Sequence, residues 1–155
     1  MEFEAEVNEF LAGAQRHGLR VIMVGGAAVN HHGYKRHSAD VDLWIEPEPA
    51  NFERLLAILR GMGYAADELP ENVLRAEQSI SIKISPGQEI ELITRFDPGC
   101  TFDEAWVRCE FGEAGGIPLA RYRVLGLDDL INSRMRSARP KDLLDVHELQ
   151  RRKNG

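Results

Sequence analysis

Leu19-Arg20-Val21-Ile22-Met23-Val24-Gly25-Gly26, followed after a polar interval by Asp40-Val41-Asp42-Leu43-Trp44-Ile45, is the stretch whose reading decides the fold. Its first half is a short apolar run of the kind a buried strand requires, stopped by two glycines. A short helix is expected from Ala27 to His32, ending at Gly33, and then a polar loop from Tyr34 to Ala39. Asp40 to Ile45 alternates polar and apolar residues and reads as a second strand, closed by Pro47 and Pro49.

Working outward, Phe3, Val7, Phe10, Leu11 and Ala14 recur at helical spacing, so residues 3–17 predict an amphipathic helix ended by His17-Gly18. Phe52, Leu55, Leu56, Leu59 and Met62 predict another over 50–62. Ile80, Ile82 and Ile84 alternate with polar residues, Pro86-Gly87 supplies a turn, and Glu89 to Thr94 alternates again, which is a β-hairpin pattern. Thr101 to Arg108 predicts a short helix, and two weaker strands are expected near 107–111 and 117–121, on either side of Gly115-Gly116. Two helical patterns close the chain, over 127–137 and 140–152, with Pro140 suited to a first helical turn. This order implies an α/β (α+β) fold in which helices cover a mixed sheet, organised as one domain over residues 1–155.

At 155 residues and 43% apolar composition the chain can bury a core without disulfide or metal staples. No apolar stretch approaches the ~20 residues of a membrane span, and Met1 to Glu6 is acidic where a signal peptide would be basic, so a cytoplasmic protein with no membrane partner is expected. Cys100 and Cys109 lack metal-site spacing and read as reduced thiols. The net charge of −6 divides unevenly: residues 1–120 carry ten Lys/Arg against twenty Asp/Glu, whereas residues 121–155 carry nine against five. Broad nucleic-acid affinity is therefore not indicated, although the acidic part could hold cations and the basic tail anions. An RNA-binding module would need a more basic surface with exposed aromatics.

Asp40 and Asp42, two apart on a strand, must emerge on one face while Val41, Leu43 and Ile45 take the other. Carboxylates forced together repel unless a cation compensates them, and paired oxygen ligands suit Mg²⁺ or Mn²⁺, which also draw oxygens from substrate phosphates. Gly25-Gly26, at the junction of strand and helix, exposes backbone amides to an anion; no Walker or dinucleotide-binding pattern is present. Glu91 or Glu89 is a third acid if the hairpin neighbours the second strand, and Glu91 is preferred because Glu89 is closer to the turn. Arg36, Arg134, Arg139 and Lys141 are candidates for phosphate neutralisation, with Arg139 and Lys141 alternatively pairing with Asp142 and Asp145. His31 and His32 read as structural rather than metal-binding, and Trp44 and Phe96 as core rather than base-stacking.

Val24-Gly25-Gly26-Ala27-Ala28, running to Arg36-x-Ser38-x-Asp40-Val41-Asp42-Leu43, resembles the minimal nucleotidyltransferase domain of the DNA polymerase β superfamily. Leu125-Gly126-Leu127-Asp128-Asp129-Leu130 and Arg139-Pro140-Lys141-Asp142-Leu143-Leu144-Asp145-Val146 are similar to the closing segment of small bacterial abortive-infection and toxin–antitoxin members. The resemblance implies a palm-like fold and transfer of a nucleoside monophosphate from a nucleoside triphosphate to a hydroxyl acceptor. It implies catalytic and metal-binding roles for Asp40, Asp42 and Glu91, and phosphate contacts from Gly25 and Gly26; Arg36, Ser38, Arg134 and Lys141 are expected beside them as further nucleotide- or phosphate-binding candidates. A toxin–antitoxin setting is suggested by the resemblance alone, and so short a chain leaves room for a protein partner or second subunit to complete the site. RNA is one of several open acceptors. Ala27 stands where many active relatives carry a serine, which keeps open a catalytically inactive, antitoxin-like binding module.

Overall fold

A computed structural model of the protein describes residues 3–34, 40–115, 119–137 and 139–154. In chain order its elements are α1 (Ala5–His17), β1 (Val21–Val24), α2 (Gly25–His31), β2 (Asp40–Ile45), α3 (Pro49–Gly61), α4 (Glu71–Leu74), β3 (Ile80–Ile82), β4 (Glu89–Ile93), α5 (Phe102–Val107), β5 (Glu110–Ala114), β6 (Ala120–Val124), α6 (Leu127–Ser137) and α7 (Pro140–Asn154). The strands form one six-stranded mixed sheet in the order β3-β4-β2-β1-β6-β5.

β1 lies centrally because all four of its residues are apolar and buried, leaving no face for water. It pairs antiparallel with β2 and parallel with β6. On the far side β2 pairs parallel with β4, whose hairpin partner β3 forms that edge. Val41, Leu43 and Ile45 are buried as their alternation requires, and Ile90 and Leu92 continue the same apolar layer in β4. α1 packs against β6 and α3, with Gly13 seated on Ile58.

The expected hairpin is present with the register Ile80↔Leu92 and Ile82↔Ile90, but β3 stops at Ile82. Beyond it the chain turns away: the Ser85 hydroxyl donates to the Gln88 carbonyl, and the Gly87 amide donates to the Glu4 carboxylate. The two weaker strands lie about three residues further along than expected. α5 lies within the span expected for it: Thr101 caps it by accepting from the Glu104 amide, Glu104 answers on the Thr101 amide, and the helix holds Val107, so β5 cannot begin there. Gly112 in β5 faces the Tyr122 ring across the ladder, where any side chain would overlap it. α4 is a single turn that the hydrophobic periodicity did not announce.

Trp44 is 4% exposed and packs edge-on against Phe102 and beside Phe96, so both Trp44 and Phe96 belong to the packing as read from sequence. Both cysteines are free thiols, and burial pushes that of Cys109 up to about 12, keeping it protonated. Among the described residues no helix is long and apolar enough to cross a membrane.

Candidate functional site

The period of two along β2 sends Asp40, Asp42 and Trp44 to one side. Trp44 is sealed under aromatic rings, whereas Asp40 is exposed and Asp42 half-buried. Parallel pairing then sets β4 beside them in register, Asp40↔Glu89 and Asp42↔Glu91. Directly paired residues share a face, so four carboxylates form two rungs on the same side of the sheet. The inner rung is Asp42 with Glu91; the outer is Asp40 with Glu89, which with Lys83 and Gln88 lines a shallow cleft of about 130 Å³.

The inner rung carries a distinct electrostatic state. Burial, then the charges of Glu91 and Asp40, raise the Asp42 carboxyl from 3.8 to about 6, while Arg134 pulls it down less strongly. A hydrogen bond between the Asp42 and Glu91 carboxyls contributes in the same upward direction, and it exists only when one of them holds a proton. Among the described residues no cationic side chain makes an ion pair with Asp42.

Gly25 explains how Asp42 reaches this position. β1 and β2 pair Val24 with Asp42, so the next residue lies directly beside that carboxyl. Gly25 has φ +63°, and a Cβ there would overlap Asp42 Oδ2. Glycine is thus required twice, for its backbone conformation and for the approach of a side chain. Gly26 continues into the first turn of α2. Ala27 is 1% exposed and directed into the core, so its side chain is not presented at the turn.

The corner between α6 and α7 brings basic groups to the same region. Arg134 is buried, its Nη1 2.7 Å from Asp142 Oδ1 and its Nε 3.6 Å from Asp145 Oδ2. Asp142 also accepts from Ser137 Oγ at 2.6 Å and Arg139 Nε at 2.7 Å. For Asp142, burial pushes the carboxyl up, but hydrogen bonds from Arg139 and Ser137 and the charges of both arginines outweigh it and hold the group below its usual range. Arg134 could meet a phosphate only by giving up these partners. Arg139 is mostly exposed and senses the charge of Asp42, so it is the better presented of the two.

The structure therefore brings together Asp42, Glu91, Gly25 and, at their border, Arg139 and Arg134, with Asp40 adding charge from the outer rung. Arg36 and Ser38 lie outside the described residues, as does the side chain of Lys141. Among the described residues no group of three His, Cys, Asp or Glu is arranged to hold a metal ion. His32 engages the Leu125 carbonyl at 2.8 Å through Nε2 and Glu110 at 3.3 Å through Nδ1, so a structural role suits it, as the sequence suggested. Ser137 was not anticipated: it serves the site through Asp142, five residues away, and no motif marks a serine in the last turn of a helix. The chain matches no protein-family model and no curated protein sequence.

Proposed function

We propose that the chain is a divalent-metal-dependent nucleotidyltransferase of the polymerase β type, which moves a nucleoside monophosphate from a nucleoside triphosphate to a hydroxyl and releases pyrophosphate. The observation that carries this reading is the Asp42–Glu91 rung: two half-buried carboxylates in register, with no ion pair to Asp42 among the described residues. Such an arrangement is costly in the free protein and is relieved by a cation. The donors are hard oxygens, which fit Mg²⁺ or Mn²⁺. With two carboxylates rather than three at hand, an ion held by Asp42 and Glu91 would take its remaining ligands from water and from phosphate.

The bound metal would supply neutralisation of triphosphate charge and a lowered pKa for the attacking hydroxyl. The protein's own groups do the rest. Asp42 must release its proton before it can act as a ligand, so metal affinity falls as pH drops through about 6. Gly25 holds the backbone clear of Asp42, and Arg139 offers an exposed guanidinium for a phosphate oxygen. Asp40 adds negative potential from the outer rung, keeping anions away unless a cation accompanies them. The acceptor hydroxyl, on a protein partner, an RNA end or a small molecule, is not selected by these groups.

The test is incorporation of radiolabel from each of the four nucleoside triphosphates into cell extract, with wild type, Asp42→Asn and Glu91→Gln run side by side. Transfer by the wild type and a loss of about a hundredfold or more in both variants is expected, because metal-bound charge is stabilised mainly in the transition state. Equal labelling by all three proteins would overturn the assignment.

A second reading has one observation in its favour. Ala27 turns into the core, so the Gly25-Gly26 turn presents no hydroxyl at that position. A protein that keeps the fold and acts by binding a partner, as an antitoxin does, has no need of one. On that reading neither wild type nor variant transfers label, and partner binding survives Asp42→Asn.

A further inference from the structure

We propose that the cleft where β1 and β6 part is a binding site for a small organic anion with an apolar body, such as a medium-chain carboxylate. The two strands share the register pair Met23↔Val124, and the Leu125 amide donates to the Met23 carbonyl. Toward their N-terminal ends no further pairs join them. The gap is a cleft of about 320 Å³, at the low end of the range for small-molecule sites. Leu11, Leu19, Val21 and Leu43 supply an apolar wall, two of them from the central strands and so part of a rigid scaffold.

The opposite wall is of different chemistry. Trp106, Phe111, Arg121 and Arg123 line it, and the arginines lie over the rings. Arg123 Cζ is 3.8 Å from the Trp106 ring centre and 4.8 Å from that of Phe111, and Arg121 Cζ is 4.0 Å from Phe111. Stacking holds a guanidinium by its flat face and leaves its N–H edge for an anion. Arg123 uses one such donor on the Trp106 carbonyl at 2.9 Å. Among the described residues neither arginine is ion-paired, and Glu113, which faces Arg121 across the ladder, makes no salt bridge with it.

Three other arginines packed against protein carry their own counter-charges: Arg20 meets Glu46 and Asp103, Arg108 meets Asp129, and Arg134 meets Asp142. Two uncompensated guanidiniums beside an apolar cleft, in a chain of net charge −6, complement a ligand with a greasy body and one negative head. The site is separate from the carboxylate rungs and does not depend on nucleotidyl transfer.

The experiment follows amide chemical shifts of the ¹⁵N-labelled full chain during titration with octanoate, with octanol as the uncharged body and acetate as the bare head. Octanoate should give saturable shifts at Gly18, Val21, Tyr122 and Arg123, with Glu89 and Glu91 unmoved, and acetate should give none. Each added methylene from hexanoate to octanoate should tighten binding about fourfold. Arg121→Gln with Arg123→Gln should weaken octanoate tenfold or more and leave octanol unchanged. Octanol binding the wild type as tightly as octanoate would overturn the proposal without any variant. So would octanoate shifts that are absent or confined to the carboxylate face, or a single-stranded oligonucleotide moving the same amides at lower concentration than octanoate.

Discussion

Asp42 and Asp142 are both carboxylates drawn into the protein, and both feel the charge of Arg134, yet they sit on opposite sides of the ordinary Asp value. Asp42 is raised to about 6 by burial and the neighbouring charges of Glu91 and Asp40. Asp142 is held low, because hydrogen bonds from Arg139 and Ser137 and two guanidiniums outweigh its burial. One cluster finds its counter-charges among its own neighbours. Among the described residues the other has no ion-paired cation, only the weaker pull of Arg134, and that difference separates it from a structural ion-pair network made of the same residue types.

The comparison breaks most visibly through Arg134. Arg134→Met removes the buried charge shared by Asp142 and Asp145 and leaves Asp142 with only Arg139 and Ser137, so stability should fall by about 3 kcal/mol. Asp42→Asn should not lower stability, because it removes a repulsive charge. Urea unfolding of both variants at neutral pH gives the contrast directly, and comparable losses in the two would erase the distinction between the clusters.

Proton linkage sharpens the same contrast. Asp42 is raised, so the folded state holds the extra proton between about pH 4 and 6. Its contribution is fully present below the unfolded value of 3.8 and is lost as pH rises through about 6, amounting to roughly 3 kcal/mol at most. Asp142 is lowered, so its contribution is present above the usual carboxylate range and is lost as pH falls below it. Wild-type stability should therefore increase relative to Asp42→Asn as pH is taken from 8 to 5. Parallel curves for the two proteins would show that Asp42 titrates normally.

Gly25→Ala tests the geometric half of the acid site. A left-handed alanine costs about 1–2 kcal/mol, and the new Cβ must push the Asp42 carboxyl aside. A drop of that order in unfolding free energy, together with weaker Mn²⁺ binding measured by calorimetry, is expected. Normal Mn²⁺ affinity in a destabilised variant would mean that the glycine serves the backbone alone.

The smallest effect comes from the ion itself. Mg²⁺ at ten times its dissociation constant should stabilise the wild type by about 1.4 kcal/mol, and nucleotide should increase the gain by lending phosphate oxygens. Thermal unfolding with and without Mg²⁺ reads this, with Asp42→Asn as the variant in which the gain should vanish. An equal gain in the variant would place the cation elsewhere.

Much of this molecule was legible along the chain. The strict alternation from Asp40 to Ile45 sends both aspartates to one face, because successive Cβ atoms on a strand must point oppositely. The same rule marked the hairpin, helical spacing marked the long helices, and the apolar run Val21 to Val24 announced a strand with no exposed face. The weaker strands lie three residues later than alternation placed them, and α5 keeps Val107 helical with Arg108 as its C-cap, so β5 cannot begin at 107.

What no local pattern could settle is which carboxylate stands opposite Asp42. Glu91 is distant in sequence, and it meets Asp42 only because burial of the whole apolar layer, Val41 and Leu43 with Ile90 and Leu92, selects β4 as the parallel neighbour of β2 and selects its register. Nor does the sequence distinguish Arg134 from Arg139. Both are arginines near the same helix corner, and their difference in exposure arises from how α6 and α7 pack, which places one side chain between two buried aspartates and leaves the other at the surface. Residue types and faces follow from bonded geometry; the neutralisation of a charge depends on distances that only long-range packing creates.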